Sequence, residues 1–449
     1  MGKFVFSHED AMRVKGELQS LLGSLPVEVV DLEGVIEDGM VRRQDQVDTV
    51  VRHFRAHDLD GLFIPHCNFG TEGAVGRIAR DVGVPVCLWG PRDEAPLPDG
   101  TRLRDSLCGL FASSKVLHKM GVPFSYIENC RMGDADLREG LFRFIQASRV
   151  ARTLRGGARI GQIGQRIDFF WSTIVSESEL LERFRIEVQP IDLMLLLRDV
   201  RQRVQASKGR YREEVRAFVP SWEIEDVSEE QLMTLLALRD QVWTVAADQG
   251  LDAATLQDFD SLVEALGCYG FLTNGLISER LPLCMESDVH GAISALLLSR
   301  AAAAEPSFVV DLTNRHPDND NGLLLWHAGA PLSMMREGVK PRLGRHWILP
   351  SPVSGMPHFP LREGEVTLLR FDGDRGDYKL AVGEARSIPG PDTLNNYLWV
   401  EVSDWPHWER TLMEGPWIHH AAMGYGHHAA ILREACRFVP DLELVSLDG

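Results

Sequence analysis

The chain has 449 residues, enough for roughly three domains of ordinary size, each with a core of its own. Apolar residues make up 44% and charged residues 25%, the balance of a globular protein, and the formal net charge is −18 with histidine neutral. A surface that acidic repels phosphate backbones and speaks against nucleic acid as a partner.

The seven cysteines (67, 87, 108, 130, 268, 284 and 436) are scattered, odd in number and form no C-x-x-C pair. That pattern argues against a disulfide framework and against a structural zinc module. No basic and apolar leader pattern opens the sequence, and no long uncharged apolar run follows. Gly2 is not a myristoylation signal, since Phe6 stands where Ser or Thr is needed. These features predict a cytoplasmic enzyme or binding protein with no membrane partner.

The first third alternates short apolar runs with amphipathic stretches. Val27–Leu32, Gly61–Pro65, Pro85–Trp89 and Phe124–Glu128 read as strands, with helices at Gln44–His57, Gly73–Val82 and Leu107–Met120. This βα rhythm predicts a doubly wound parallel sheet. The strands end in polar or turn residues, at His66–Gly70, Gly90–Glu94 and Glu128–Cys130. In open α/β sheets, ligands bind beyond such carboxyl ends, although ordinary loop chemistry explains any one residue slightly better.

A basic, glycine-containing stretch at Arg149–Gly157 marks a boundary. The βα pattern restarts with a strand at Ala158–Ile163, a helix through Ser176–Arg185 and a strand at Ile186–Ile191. Gly161-Gln162-Ile163-Gly164 lacks the G-x-G-x-x-G spacing of a dinucleotide site. A helical, charged section runs from Val200 to about Leu266. Past residue 305 helical periodicity fades, and Phe308–Leu312, Leu323–Trp326, Glu365–Phe371, Lys379–Val382 and Leu398–Val402 predict a β-rich, barrel-like domain. A helix at His428–Phe438 and a strand at Leu442–Leu447 close the pattern. The domains expected are 1–153, 154–304 and 305–449.

Two clusters carry candidate chemistry. In Cys284-Met285-Glu286-Ser287-Asp288-Val289-His290-Gly291, carboxylates precede a helix at Ala292–Ala303, where the helix dipole stabilises negative charge. Plain capping by Ser287 or Asp288 accounts for the same residues. The second cluster, Trp417–His428, holds four histidines and two glycines, so it offers either a metal ligand or a solvated, glycine-broken loop. Glu264, on the helix leading into the acidic cluster, adds a third acid. Carboxylates with a histidine suit a divalent ion such as Mn²⁺, Co²⁺ or Mg²⁺. His327, at a strand end before Gly329, either touches substrate or is a core histidine. Asp318–Gly322 departs from the calcium-loop spacing and reads as a turn. There is no G-x-S-x-G elbow and no P-loop.

Together, three runs resemble the L-fucose and L-arabinose isomerase family, and in particular its shorter L-fucose isomerase-like members. They are Leu88–Pro96 with Cys108–Phe111, Pro282–Ala292, and His419–His427. The resemblance implies two successive Rossmann-like doubly wound α/β domains followed by a C-terminal β-barrel-like domain. It also implies a homo-oligomer, a trimer or hexamer, with its active site between subunits. The metal implied is Mn²⁺, held by Glu264, Asp288 and His420, with Glu264 and Asp288 as proton carriers. His327, His427, Trp89 and Arg92 are implied as substrate contacts. The implied reaction is aldose–ketose isomerisation of a pentose, 6-deoxyhexose or related sugar through an enediolate. A non-catalytic sugar-binding protein on the same fold, or a metal-dependent aldolase or epimerase, stays open. The sequence around Gln257–Gly270 departs from relatives that carry a Cys-Trp pair there, which leaves the sugar itself open.

Overall fold

A computed structural model describes residues 1–3, 5–346 and 353–449. The chain forms two compact units: Met1–Arg152 with Arg433–Phe438, and Thr153–Leu432 with Val439–Gly449. None of the described helices is long and apolar enough to cross a membrane.

The first unit is built on three parallel strands, β1 (Leu62–Pro65), β2 (Val86–Trp89) and β3 (Ser125–Tyr126), in that spatial order. Helices Val47–Arg55, Glu72–Val82 and Ser106–Lys119 bury Val50, Val75, Ile78, Leu110 and Leu117 with Leu62, Ile64 and Leu88 in one core. Among the described residues the order never reverses, so this sheet is not doubly wound as the βα rhythm implies. Val27–Leu32 is also no strand. No ladder joins it to β1, and the two segments line a cavity of about 550 Å³. The Gly90–Glu94 tip serves the fold. Asp93 accepts the Ser106 N–H at 2.9 Å, and Asp93, Glu94 and Asp10 all pair with buried Arg104. Gly109 in the neighbouring motif is required sterically, since a Cβ there would lie 1.7 Å from the Phe69 carbonyl oxygen.

The second unit combines a parallel sheet with a barrel. The sheet strands are β4 (Arg159–Ile163), β5 (Glu187–Ile191), β7 (Ala253–Leu256) and β8 (Leu283–Cys284), ordered β5-β4-β7-β8; the short β6 (Glu223–Ile224) lies elsewhere. Here the order does reverse, between β4 and β7, which opens a crevice beyond their carboxyl ends. β7 interrupts the section read as continuous helix. All four of its residues are buried, and so short a central strand leaves no alternation to detect.

The remaining strands are β9 (Phe308–Arg315), β10 (Gly322–His327), β11 (Arg342–Arg345), β12 (Ser354–Pro360), β13 (Glu365–Asp374), β14 (Asp377–Ser387), β15 (Asn396–Val402), β16 (His420–Tyr425) and β17 (Glu443–Ser446). Six of them, β14-β13-β16-β9-β10-β15, close on themselves because β15 also pairs with β14. Closure leaves no free edge in that ring. Asp318–Gly322 is the turn between β9 and β10, with the Gly322 N–H on the Asn319 carbonyl at 2.9 Å. The histidine-rich run is not a broken loop. Residues 420–425 form β16, between β13 and β9, because its alternating small and apolar side chains suit a buried barrel strand.

Candidate active site

The turn between β8 and helix Val289–Ala301 is strained. Glu286 and Ser287 both adopt left-handed backbone conformations, at φ 62° and 56°, although neither is glycine. Such residues cost of order 1–3 kcal/mol each and persist only where the surroundings hold them. Here the Glu286 N–H is held by Asp258 Oδ1 at 3.1 Å, the Ser287 N–H by the Leu256 carbonyl at 3.2 Å, and Ser287 Oγ donates to the Gln165 carbonyl at 3.0 Å. Asp258 is wholly buried and also accepts from Asn274 at 2.7 Å. Burial, then the charge of Glu286, pushes its carboxyl up to about 7.

The barrel supplies the partners. Asp311 on β9 stands directly opposite His420 on β16, so their side chains share one face. His420 Nε2 lies 3.1 Å from Glu286 Oε2 and 3.5 Å from Asp311 Oδ1, and His327 Nε2 lies 3.7 Å from Glu286 Oε1. The His327 and His420 rings meet edge-on with centroids 6.1 Å apart, and Phe170 packs edge-on against His420 at 6.2 Å. Burial alone lowers both imidazoles. For His420 it is outweighed by the bond to Asp288 and by the neighbouring Glu286 carboxylate, which push it up to about 10. For His327 the charges of Asp311 and Glu286 outweigh it, to about 9. Burial raises Glu286, but the two histidines bring it down to about 2.

Behind His420 lies a buried charge network. His420 Nδ1 is 3.0 Å from Asp288 Oδ2. Arg370 on β13 donates to Asp288 Oδ2 at 2.5 Å and to Oδ1 at 3.3 Å, while its Nε and Nη2 donate to Asp372 Oδ2 at 2.9 and 2.7 Å. His290 Nδ1 lies 3.0 Å from Asp372 Oδ1. Asp288 also caps its helix, accepting the Gly291 N–H at 2.9 Å.

Three groups of donors converge on His420, each with atoms within 4.8 Å of one another: Glu286 and His327, Cys284 and Asp288, and Asp311 and His419. Among the buried atoms of this region without a hydrogen-bond partner are His420 Nε2 and Asp311 Oδ1, which face each other at 3.5 Å. An imidazole nitrogen and a carboxylate oxygen left buried and unpartnered side by side are what a bound cation would satisfy. Imidazole with carboxylate suits a divalent ion of the Mn²⁺ or Co²⁺ kind.

Residues 2–155 match the family described as fucose/sulfoquinovose isomerase, N-terminal domain. The chain is 28% identical over 353 residues to the sulfoquinovose isomerase of Alkalicoccus urumqiensis, covering 74% of this chain and 71% of that protein. It is 25% identical over 419 residues to the sulfoquinovose isomerases of Priestia aryabhattai and Priestia megaterium, covering 89% of this chain and 86% of each. These matches support the resemblance of the chain to the L-fucose isomerase-like family.

Of the residues that resemblance to the family singles out, the structure brings together Asp288, His420 and His327. Glu264 does not join them. It is exposed on the short helix Ser261–Leu266, and Glu286 is the glutamate beside His420. His427 is also elsewhere: its side chain is 62% exposed and its Nδ1 lies 2.9 Å from Glu384. In the first unit Trp89 is a core residue with no exposed surface, its indole N–H 3.4 Å from Cys130 Sγ, so it has no face for a substrate. Arg92 is exposed on the tip after β2. Sequence reasoning missed Asp311, Arg370, Asp372 and Asp258. A signal existed for three of them: Val-Val-Asp-Leu and Leu-Leu-Arg-Phe-Asp put charges inside apolar strand runs.

Proposed function

We propose that the chain is a metal-dependent aldose–ketose isomerase. The observation that carries this is the buried set Glu286, His327 and His420, with Asp311 opposite His420, in a chain that resembles the L-fucose isomerase-like family. Glu286, His327 and His420 would hold the ion; Mn²⁺ is the first to test. When bound, a divalent ion acts as a Lewis acid on neighbouring sugar hydroxyl and carbonyl oxygens, stabilising charge that develops there.

The chain's own groups do the rest. Isomerisation takes a proton from one carbon and returns it to the next, which a carboxylate with a matched partner performs well. Glu286 and Asp311 flank His420 Nε2 and are the acids placed to move that proton. Asp311 is partly exposed, which puts it on the side open to a ligand. Phe170 shields His420 from water on one side, and exclusion of water strengthens each charge contact. Buried Asp258 fixes the Glu286 backbone, so that its carboxylate does not drift from the imidazoles.

Sulfoquinovose, the sugar in the relatives' names, is the first substrate to assay, beside L-fucose and L-arabinose. Metal-stripped protein would be incubated with each sugar, with and without Mn²⁺, and the ketose measured. Ketose formation that depends on the ion is expected for at least one sugar. Tight sugar binding with no turnover of any sugar would overturn the reading.

A further inference from the structure

We propose that Asp288 is a positioning residue, holding His420 from behind, and not a ligand of the metal; Arg370 fixes it in that role. The inference rests on the metal-dependent reading above and changes the ligand set that the family resemblance implies.

An ionised carboxylate has about four acceptor positions. Asp288 uses all four. Oδ2 takes Arg370 Nη1 and faces His420 Nδ1, while Oδ1 takes the Gly291 N–H and Arg370 Nη2. A cation on Oδ2 would sit beside a guanidinium that already lies 2.5 Å from that atom. Arg370 cannot swing away easily, because Asp372 grips it through two further bonds and is itself held by His290 and the Gly373 N–H. The third member of that donor group, Cys284, is a buried thiol, a poor ligand until it ionises.

The other side of the imidazole differs in each respect. His420 Nε2 and Asp311 Oδ1 lack hydrogen-bond partners, and the groups around them are Glu286, His327 and His419. Metal-bound histidines commonly give their second ring N–H to a carboxylate, which fixes the tautomer and aims the lone pair. Asp288 on Nδ1 leaves Nε2 for the ion, and Arg370 keeps the carboxylate charged and still.

The test is a calorimetric Mn²⁺ titration of metal-stripped protein, with the visible spectrum of the Co²⁺ form as a report on the inner ligands. Asp288→Asn should keep one binding site and the wild-type Co²⁺ band positions, with affinity lowered about 10–100-fold, the effect of losing such an outer partner. Glu286→Gln should abolish tight binding or shift the Co²⁺ bands. Arg370→Lys, which keeps the charge but loses the two-oxygen grip, should bind with weakened affinity and unshifted bands; it serves as the reporter if Asp288→Asn does not fold. Loss of binding or shifted bands in Asp288→Asn, with Glu286→Gln binding normally, would overturn the inference and leave the isomerase reading standing. In the Arg370→Lys arm, shifted bands would overturn it equally. Wild-type protein that binds no Mn²⁺ would overturn both.

Discussion

His420 Nδ1 and Asp288 Oδ2 lie 3.0 Å apart although 132 residues separate them in sequence. This contact joins two of the three runs that carry the family resemblance, one at a helix start and one on a barrel strand. It also turns the opposite nitrogen of the same ring toward Glu286, at 3.1 Å. Which groups lie on each side of that ring decides what each substitution should do.

Glu286→Gln is expected to lower ketose formation by about 10²–10⁴-fold, the range for loss of a positioned proton-transfer group. Glu264→Gln, on an exposed helix position, should leave turnover within about twofold. Initial rates with saturating Mn²⁺ decide between them. The opposite ranking would restore Glu264 to the site.

Gly291→Ala tests the packing around Asp288. A Cβ at this position would lie 2.4 Å from Cys284 Sγ and 2.7 Å from Asp288 Oδ2. The helix start must shift or Asp288 must move, at about 1–3 kcal/mol. Denaturant unfolding should report that loss, together with weaker Mn²⁺ binding.

Trp89→Ala and His427→Ala separate core from surface. Trp89 has no exposed area, so its truncation should cost about 3–5 kcal/mol in the unfolding free energy. His427 is exposed and meets Glu384 alone, so His427→Ala should leave both stability and KM for the sugar nearly unchanged. A large rise in KM for His427→Ala would return it to the substrate site.

The metal-free protein should lose stability in alkali. The folded-state values of His327 and His420, about 9 and about 10, lie above the ordinary 6.5. Their contribution is therefore complete below about pH 6.5 and is lost as pH rises through 9 to 10. Glu286 has the opposite sign: brought down to about 2, it contributes above about pH 4.5 and is lost as pH falls toward 2. Thermal melts of stripped protein from pH 6 to pH 10 should show a falling midpoint, and saturating Mn²⁺ should reduce the fall. A flat profile without metal would contradict the coupling of these groups.

The sequence by itself determined a good deal. Periodicity located β1, β2, β4, β5 and most barrel strands, and the motifs around Asp288 and His420 were among those that carried the family resemblance. These are local signals, written in alternation, turn residues and short patterns, and they survive without knowledge of the partner segment. Only the tertiary structure decided which acid meets which histidine. Two consecutive left-handed residues aim Glu286 at the imidazoles, a direction that no propensity encodes for non-glycine residues. Strand register sets Asp311 opposite His420, and a shift of one residue would have turned it to the other face. Arg370 and Asp372 read from sequence only as misplaced charges. Their purpose appears once β13 packs beside helix Val289–Ala301, where a buried arginine needs two carboxylates and one of them needs to hold a histidine.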